Sequence, residues 1–537
     1  MGNRTPHTRL GLGRRVAAVA AALALTTLAA CTGQTTPGTS APGASASPTE
    51  APAAKTLTIA AHPELITLDP TAQAPAASAQ AQLFNVYETL LKINSDGVPQ
   101  PLLAQRWEVS PDGRTYTFYL NPTAKFASGK QVTAEAVVKN IDRIRTGQVD
   151  GKPVTAPDGT PVPVGAKYST WMKVVQSATA VDPTTLKVTL TRPSNTWLYA
   201  MGDTPGLIAD PDGFATLASK SAGSGPYQVK EWRKGDSLVL ERNPGYWGTP
   251  GRFDTVTFKY IADPNAMNSA LLAGTIDIIA NEQAPDSLAQ FADPARFTIV
   301  EGSTNAEVTM SMNNASPALK DVRVRRAIAL AIDKKKVLDD VQAGRGTIIG
   351  SMTVPTDPYY EDLSGVNAYN PEQAKALLKE AGATDLTLRF RPANLPYATA
   401  AATDITAMLK AVGINVVLEP QPWPNWVQQV FVGKDYDLTI VAHVEARDLN
   451  TYDNSQFPNY YWGYANPAFN QLWLAADQAP REQYPDLMKK AARQLADDAA
   501  SVWLYMMPNL VVTKATVTGV SQNQTTDSFD VTTIATR

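Results

Sequence analysis

Polar and apolar residues alternate over two short runs, 106–110 and 115–120, on either side of Pro111-Asp112-Gly113-Arg114. Alternation puts every second side chain on one face of a strand, and an Asp-Gly pair between two such runs predicts a hairpin. The pattern recurs at 227–232 and 237–241 around Lys234-Gly235-Asp236. Further strands are expected at 56–60, 186–190, 255–261, 307–312 and 436–442, with short ones at 502–505 and 510–513. Elsewhere the spacing is helical. Thr133 is placed to cap a helix running to about 145, with Glu135 in its positive first turn. A helix near 265–273 stops at Gly274. Residues 322–343 carry Val324, Ala327, Ile328, Ala331, Val337 and Val341 on one face and predict a single helix ending at Gly344. Asn370-Pro371-Glu372-Gln373 opens another helix with a cap, a first-turn proline and a returning Gln, and Gly382 closes it. A strand at 386–390, a helix near 398–410 and a strand at 414–418 form one unit, and 485–500 is a late helix. Strands mixed with helices in this way predict an α/β protein whose sheets are covered by helices.

With 537 residues the chain exceeds one compact core and implies two or three lobes. The 47 Lys and Arg against 50 Asp and Glu leave a formal charge of −3, and four of the arginines lie in the first 30 residues, which hold no acid. An acidic body is unsuited to nucleic acid. Cys31 is the one cysteine, so no internal disulfide can form. Three histidines (His7, His62 and His443) leave little material for a zinc site or a His-activated nucleophile. No Gly-x-Ser-x-Gly, His-Glu-x-x-His or P-loop motif is found, so no catalytic residue is assigned and no cofactor is expected. The N-terminus reads as an export signal: Arg9, Arg14 and Arg15 precede a 15-residue, mostly apolar stretch at 16–30, shorter than the ~20 residues of a bilayer span. Leu28-Ala29-Ala30-Cys31 resembles the bacterial lipobox, which implies a lipidated (palmitate-type) Cys31. Residues 32–55, rich in Thr, Ser, Pro, Gly and Ala, form a flexible tether spanning roughly 25–30 Å. No transmembrane helix is expected in the rest.

A binding site is expected after the strand 436–442, because ligands of α/β sheets gather beyond the carboxyl ends of strands. There the chain reads His443-Val444-Glu445-Ala446-Arg447-Asp448, flanked by Trp423, Trp426, Tyr452, Phe457, Tyr460, Tyr461 and Trp462. Aromatic walls with a few polar groups suit a cleft. Asp448 or Glu445 offers a carboxylate to an ammonium. Arg447 either meets a ligand carboxylate or neutralises its two acidic neighbours. His443 alone is a thin basis for a metal, and no metal site is assigned. Trp423 and Trp426, beside Pro422 and Pro424, read as a loop lining the cleft.

Several segments together resemble the extracellular solute-binding proteins of family 5, the peptide/nickel class that serves ABC importers. They are Leu68-Asp69-Pro70, the stretch from Leu102 to Gly113 with Trp107, the stretch from Lys125 to Val137 with Gly129 and Thr133, Gly223-Ser224-Gly225-Pro226-Tyr227 followed by Asn243-Pro244-Gly245-Tyr246-Trp247, Asp321-Val322-Arg323-Val324-Arg325-Arg326-Ala327, and Tyr369-Asn370-Pro371 with Ala381-Gly382. The resemblance implies a type II-like periplasmic-binding-protein fold, two hinged lobes with an inserted third domain. The expected division is a signal at 1–30, tether at 31–55, lobe I at 56–90 and 201–302, inserted domain at 91–200, lobe II at 303–500, and a return to lobe I at 501–537. Most shared motifs are expected to be structural: Pro226-Tyr227 and Tyr246-Trp247 as core and turn residues, Arg323, Arg325 and Arg326 as a solvated face with interlobe salt bridges. Peptide-binding relatives hold the ligand α-ammonium with an Asp-x-x-Asp-Pro stretch; here Glu445-x-x-Asp448 keeps the spacing without the proline. Asn313 and Asn314, where the chain crosses between lobes, are further ligand candidates. The implied protein is a monomeric, lipid-anchored receptor outside the membrane. It binds a peptide-like solute, closes its lobes and delivers the solute to a permease; a non-peptide solute or a regulatory role are the alternatives.

Overall fold

The computed structural model describes residues 55–72 and 76–537, so the export signal, Cys31 and nearly all of the tether lie outside the described residues. One eleven-stranded sheet runs through the body. Its strands lie in the order Tyr227–Arg233, Ser237–Arg242, Thr255–Tyr260, Thr56–Ala61, Ile278–Ile279, Ser501–Lys514, Phe297–Met312, Leu438–His443, Thr387–Phe390 and Asn415–Leu418, with Thr347–Ile348 pairing onto Ser501–Lys514. Two long strands tie the halves together. Phe297–Met312 and Ser501–Lys514 pair antiparallel from Phe297 opposite Lys514 to Ser311 opposite Ser501. Their outer ends belong to the first lobe, where Ser501–Lys514 also meets Ile278–Ile279. Their inner ends belong to the second, where Glu307 to Met312 pair with Leu438–His443.

Between Ser303 and Glu307 the ladder shifts register. Such a break bends a strand and loosens its pairing. Pro508 stands opposite Ser303 beside this break, where a missing N–H is tolerated. The two short strands expected at 502–505 and 510–513 are therefore one strand of 14 residues. Likewise the strand expected at 307–312 is the second half of a 16-residue strand whose first half, with Glu301, Gly302, Ser303 and Thr304, is too polar to declare itself.

A separate four-stranded sheet, in the order Ala104–Val109, Thr115–Leu120, Thr185–Leu190 and Val175–Asp182, packs against helix Ala134–Thr146 around its own core, including Phe118, Ile141, Leu186 and Val188. The expected hairpin turns at Gly113, whose φ of +67° suits glycine. Thr133 caps the helix by accepting the Ala136 N–H. Gly223 explains one of the motifs: a Cβ there would lie 1.8 Å from the Val86 carbonyl oxygen.

Two expectations need correction. The single helix at 322–343 is two, Val322–Leu330 and Lys334–Gln342, because Asp333 ends one apolar face and caps the next helix by accepting the Lys336 N–H at 3.0 Å. The arginines of this segment make no interlobe salt bridges among the described residues. Arg325 is buried and donates to the carbonyls of Leu319, Lys320, Asp498 and Ala499. Arg323 pairs with Asp321 and Glu380, and Arg326 donates to the Asp497 carbonyl.

Candidate functional site

Several of the candidate residues gather beside the register break. Glu307, the first residue after the register break, sits opposite His443, the last residue of Leu438–His443. Directly opposed residues of an antiparallel pair share a face, so an acid and an imidazole point the same way. The chain then turns through Arg447, held at φ +57°, into the short 3-10 helix Asp448–Tyr452. That turn brings Asp448 back to His443, with Asp448 Oδ2 3.7 Å from His443 Nδ1. His443, Glu445 and Asp448 each offer a ligand atom, all within 4.8 Å of one another, an arrangement able to hold a metal ion. It equally suits the three N–H bonds of an ammonium.

Burial sharpens the electrostatics. Asp448 is 1% exposed and Glu307 3%. Burial, followed by the negative charges of Asp448, Asp357 and Glu445, pushes the Glu307 carboxyl well above the usual carboxylate range. Glu307 Oε2 is buried without a hydrogen-bond partner. Burial likewise pushes Asp357 up to about 6, against the opposing pull of Arg447. A desolvated group of acids resists ionisation unless a cation joins it.

Arg447 is not the counter-ion of Glu445 and Asp448 that the sequence suggested. It reaches away to distant parts of the chain, where its guanidinium stacks 3.6 Å from the Tyr199 ring centroid and donates to the Gly97 carbonyl at 3.1 Å. Its nearest acid is Asp357, at 4.0 Å. The αL turn swings the side chain away from its sequence neighbours.

The aromatic residues divide into support and wall. Tyr461 shares a hydrogen bond with His443 Nε2 at 2.8 Å and another with Ser311 Oγ at 2.8 Å, which fixes the imidazole. Trp462 backs it from 5.3 Å and stacks on Tyr452 at 3.9 Å. Trp423 and Trp426 do not lie in a loop: Trp423–Asn425 is a helical turn running into the π-helix Trp426–Val432. Trp426 is core, donating from Nε1 to Thr439 Oγ1 at 2.9 Å, and Trp423, 45% exposed, covers it. Asn313 is spent on the backbone: its amide donates to the Lys434 and Tyr436 carbonyls and accepts from the Ala315 N–H. Asn314 serves the Met312, Trp462 and Ala500 carbonyls in the same way.

A cavity of about 220 Å³ lies beside the cluster, walled by Phe431, Tyr460 and Tyr461 on one side and by Thr170 and Lys173 of the four-stranded-sheet domain on the other. Sequence reading missed Glu307, Asp357, Phe431 and Lys173. Glu307 alone carried a signal, as the lone acid in the run Ala306-Glu307-Val308-Thr309-Met310.

Residues 98–469 match the family of bacterial extracellular solute-binding proteins, family 5 Middle. The chain belongs to this family. Among curated relatives, the dipeptide-binding protein of Escherichia coli K12 is 26% identical over 62% of this chain and 65% of its own length. The nickel-binding periplasmic protein of the same organism is 27% identical over 56% of each. This chain thus spans less than two thirds of the length of either relative. A probable D,D-dipeptide-binding periplasmic protein, also from E. coli K12, is 28% identical over 78% of this chain and 82% of its own length. Among solved structures, the DppA periplasmic binding protein of Helicobacter pylori, in complex with the peptide STSA, superimposes with a TM-score of 0.78 at 21% identity, over 90% of this chain and 98% of that one. NikA of Brucella suis, in complex with Fe(III)-EDTA, gives 0.75 at 22% identity, over 90% and 100%. The architecture is therefore the two-lobed, hinged family 5 fold with an added domain.

Proposed function

We propose that this protein is the solute receptor of an ABC importer, held outside the membrane by a lipid on Cys31, and that it captures a peptide-like solute and hands it on unchanged. Residues 56–90 and 201–302 form one lobe, 91–200 the inserted domain and 303–500 the other lobe. The observation that supports the reading is the group Glu307, Glu445 and Asp448, with His443, gathered beside the register break. Carboxylates gathered in this way favour a cationic guest, and a peptide α-ammonium supplies that charge with three donors. Solute bound more tightly by the closed lobes shifts the hinge equilibrium, and the permease reads the closed shape. The dipeptide-binding relatives are consistent with this substrate class.

The test is calorimetric titration of protein lacking residues 1–31 with dipeptides, alongside native mass spectrometry for a co-purified guest. Asp448→Asn should weaken binding about 10–100-fold, the loss of a charge-assisted bond worth roughly 1.5–3 kcal/mol. Unchanged affinity in both Asp448→Asn and Glu445→Gln would sink the assignment. The donor set of His443, Glu445 and Asp448 favours a second reading, a metal or metal chelate as guest; co-purified nickel or iron would support it.

A further inference from the structure

Val517–Thr518 pairs antiparallel with Ala535–Thr536 and closes residues 519–534 into a loop. Loops of this kind, with their ends together, are frequently functional. The far half is fixed in a core: Phe529 and Val531 pack with Leu83 and Val86, and the Val531 N–H donates to Asn85 Oδ1 at 3.0 Å. The near half, 521–525, lies on the long strand Phe297–Met312 just before its register break. There the Ser303 N–H donates to Asn523 Oδ1 at 2.9 Å, and the Gln524 N–H donates to the Ser303 carbonyl at 2.9 Å. Ser303's partner on the neighbouring strand is Pro508, which has no N–H to offer. The loop thus satisfies both backbone groups of the residue at which the ladder fails. Asn509, next to Pro508, adds a bond from Nδ2 to the Gln522 carbonyl at 2.8 Å. The approach is close because residue 302 is glycine: a Cβ there would lie 1.9 Å from the Gln522 carbonyl oxygen.

The same segment has a second set of partners. Asn523 Nδ2 donates to the Ser95 carbonyl at 3.1 Å, so one amide joins the long strand to the turn at 94–97. Thr525 Oγ1 donates to the Asn94 carbonyl at 2.8 Å, and the Thr525 carbonyl accepts from the Tyr199 hydroxyl at 3.0 Å. The turn itself is held tight, because Asn94 Oδ1 accepts from the Asp96 and Val98 N–H groups. Both routes end on Arg447, which donates to the Gly97 carbonyl and lies on the Tyr199 ring. A contiguous network of this kind carries coupling when the elements at its ends can each change arrangement. One end is a register break, where a strand bends. The other is the left-handed turn at Arg447, an uncommon backbone conformation for a side-chain-bearing residue.

We infer that residues 521–525 form a strap that sets the bend of the two long strands and couples it, through Asn523, the 94–97 turn and Arg447, to the loop 443–448. A change of bend at 303–307 is then felt at Arg447, and a change at Arg447 is felt at Ser303. The coupling exists without a guest and is independent of what the protein binds.

The test is hydrogen exchange of the solute-free full chain, which reads how often each amide opens. Asn523→Ala should speed exchange at Ser303 and Gln524 about two- to tenfold, the effect of losing one hydrogen bond. It should also speed exchange in Asp448–Tyr452, which Asn523 does not touch. Gly302→Ala removes no group of the strap and only lifts Gln522, and it should give the same pattern. From the other end, Arg447→Met should speed exchange at Ser303 and Gln524. Amides of the strand Thr185–Leu190, in the separate sheet, should keep wild-type rates in all three variants. Wild-type exchange at Ser303 in both Asn523→Ala and Gly302→Ala would show that the strap does not hold the strand. A response at Ser303 with none in Asp448–Tyr452, and none at Ser303 in Arg447→Met, would overturn the coupling. Equal acceleration at every amide, Thr185–Leu190 included, would reduce the effect to lost stability and overturn it as well.

Discussion

Glu88 shows how one buried acid makes stability depend on pH. It accepts hydrogen bonds from Ser224 Oγ at 2.8 Å, the Tyr246 hydroxyl at 2.8 Å and Trp247 Nε1 at 3.0 Å, so the Gly-Ser-Gly-Pro-Tyr and Tyr-Trp motifs meet on one carboxyl. Burial pushes that carboxyl from its ordinary value of 4.5 up to about 7, despite the three donors. Between those values the folded protein holds a proton that the unfolded chain has released. Stability contributed by this group is thus fully present below pH 4.5 and is lost as pH rises to about 7, at most about 1.4 kcal/mol per pH unit. Asp357, pushed up to about 6, adds to the same trend over the lower part of the window. Urea midpoints at pH 5 should exceed those at pH 7.5. Glu88→Gln, whose amide still accepts from Trp247 while the Tyr246 hydroxyl turns to accept from it, should flatten the decline without abolishing it. A decline of equal size in the variant would show that Glu88 is not its source.

Elements were legible where two local signals agreed. The two hairpins had alternation and an Asp or Gly turn, and helix Ala134–Thr146 had both its face and its Thr133 cap. They were illegible where tertiary contacts override local pattern. Residues 297–303 pair as strand through the partner Ser501–Lys514 although Glu301, Gly302 and Ser303 are polar or flexible. The pair Val322–Leu330 and Lys334–Gln342 kept one apolar spacing across a real break, and only the cap at Asp333 betrays it. Asp333→Ala should cost about 1 kcal/mol, the usual loss of an N-cap. Its solute affinity should stay at the wild-type value, since both helices pack within the second lobe. A change in affinity larger than threefold would mean that this cap reports to the hinge. The site followed the same rule. His443, Glu445 and Asp448 were visible as a cluster in one loop, whereas Glu307 and Asp357 join it only through strand pairing and folding. Side-chain direction was the least legible property of all: the αL turn at Arg447 and the backbone duties of Asn313 have no trace in the sequence.

Closure of the whole molecule has a contact of its own besides the acid cluster. Asp477 is 0% exposed, on helix Pro467–Gln478 of the second lobe, yet its carboxylate is held by the first lobe's added domain. It accepts from Ser194 Oγ at 3.1 Å, the Thr196 N–H at 2.9 Å, Thr196 Oγ1 and Arg192 Nη1, while Asn195 Nδ2 donates to the Asp477 and Ala479 carbonyls. These donors open the short helix Asn195–Ala200, so an acid from one lobe caps a helix of the other. Opening the lobes returns both partners to water, and the net worth of the bonds then sets how often the empty protein closes. Asp477→Asn keeps the shape but removes the charge that Arg192 and the capped N–H meet. Small-angle scattering of the solute-free variant should show a larger radius of gyration than wild type. Solute affinity should fall about tenfold through the smaller closed population, a loss of about 1.4 kcal/mol, with faster release. Arg192→Met should repeat the effect, and the double variant should add little to either, because both act on one contact. Identical scattering for wild type and both single variants would mean that Asp477 merely packs, and that the hinge at 303–307 and the guest alone decide between open and closed.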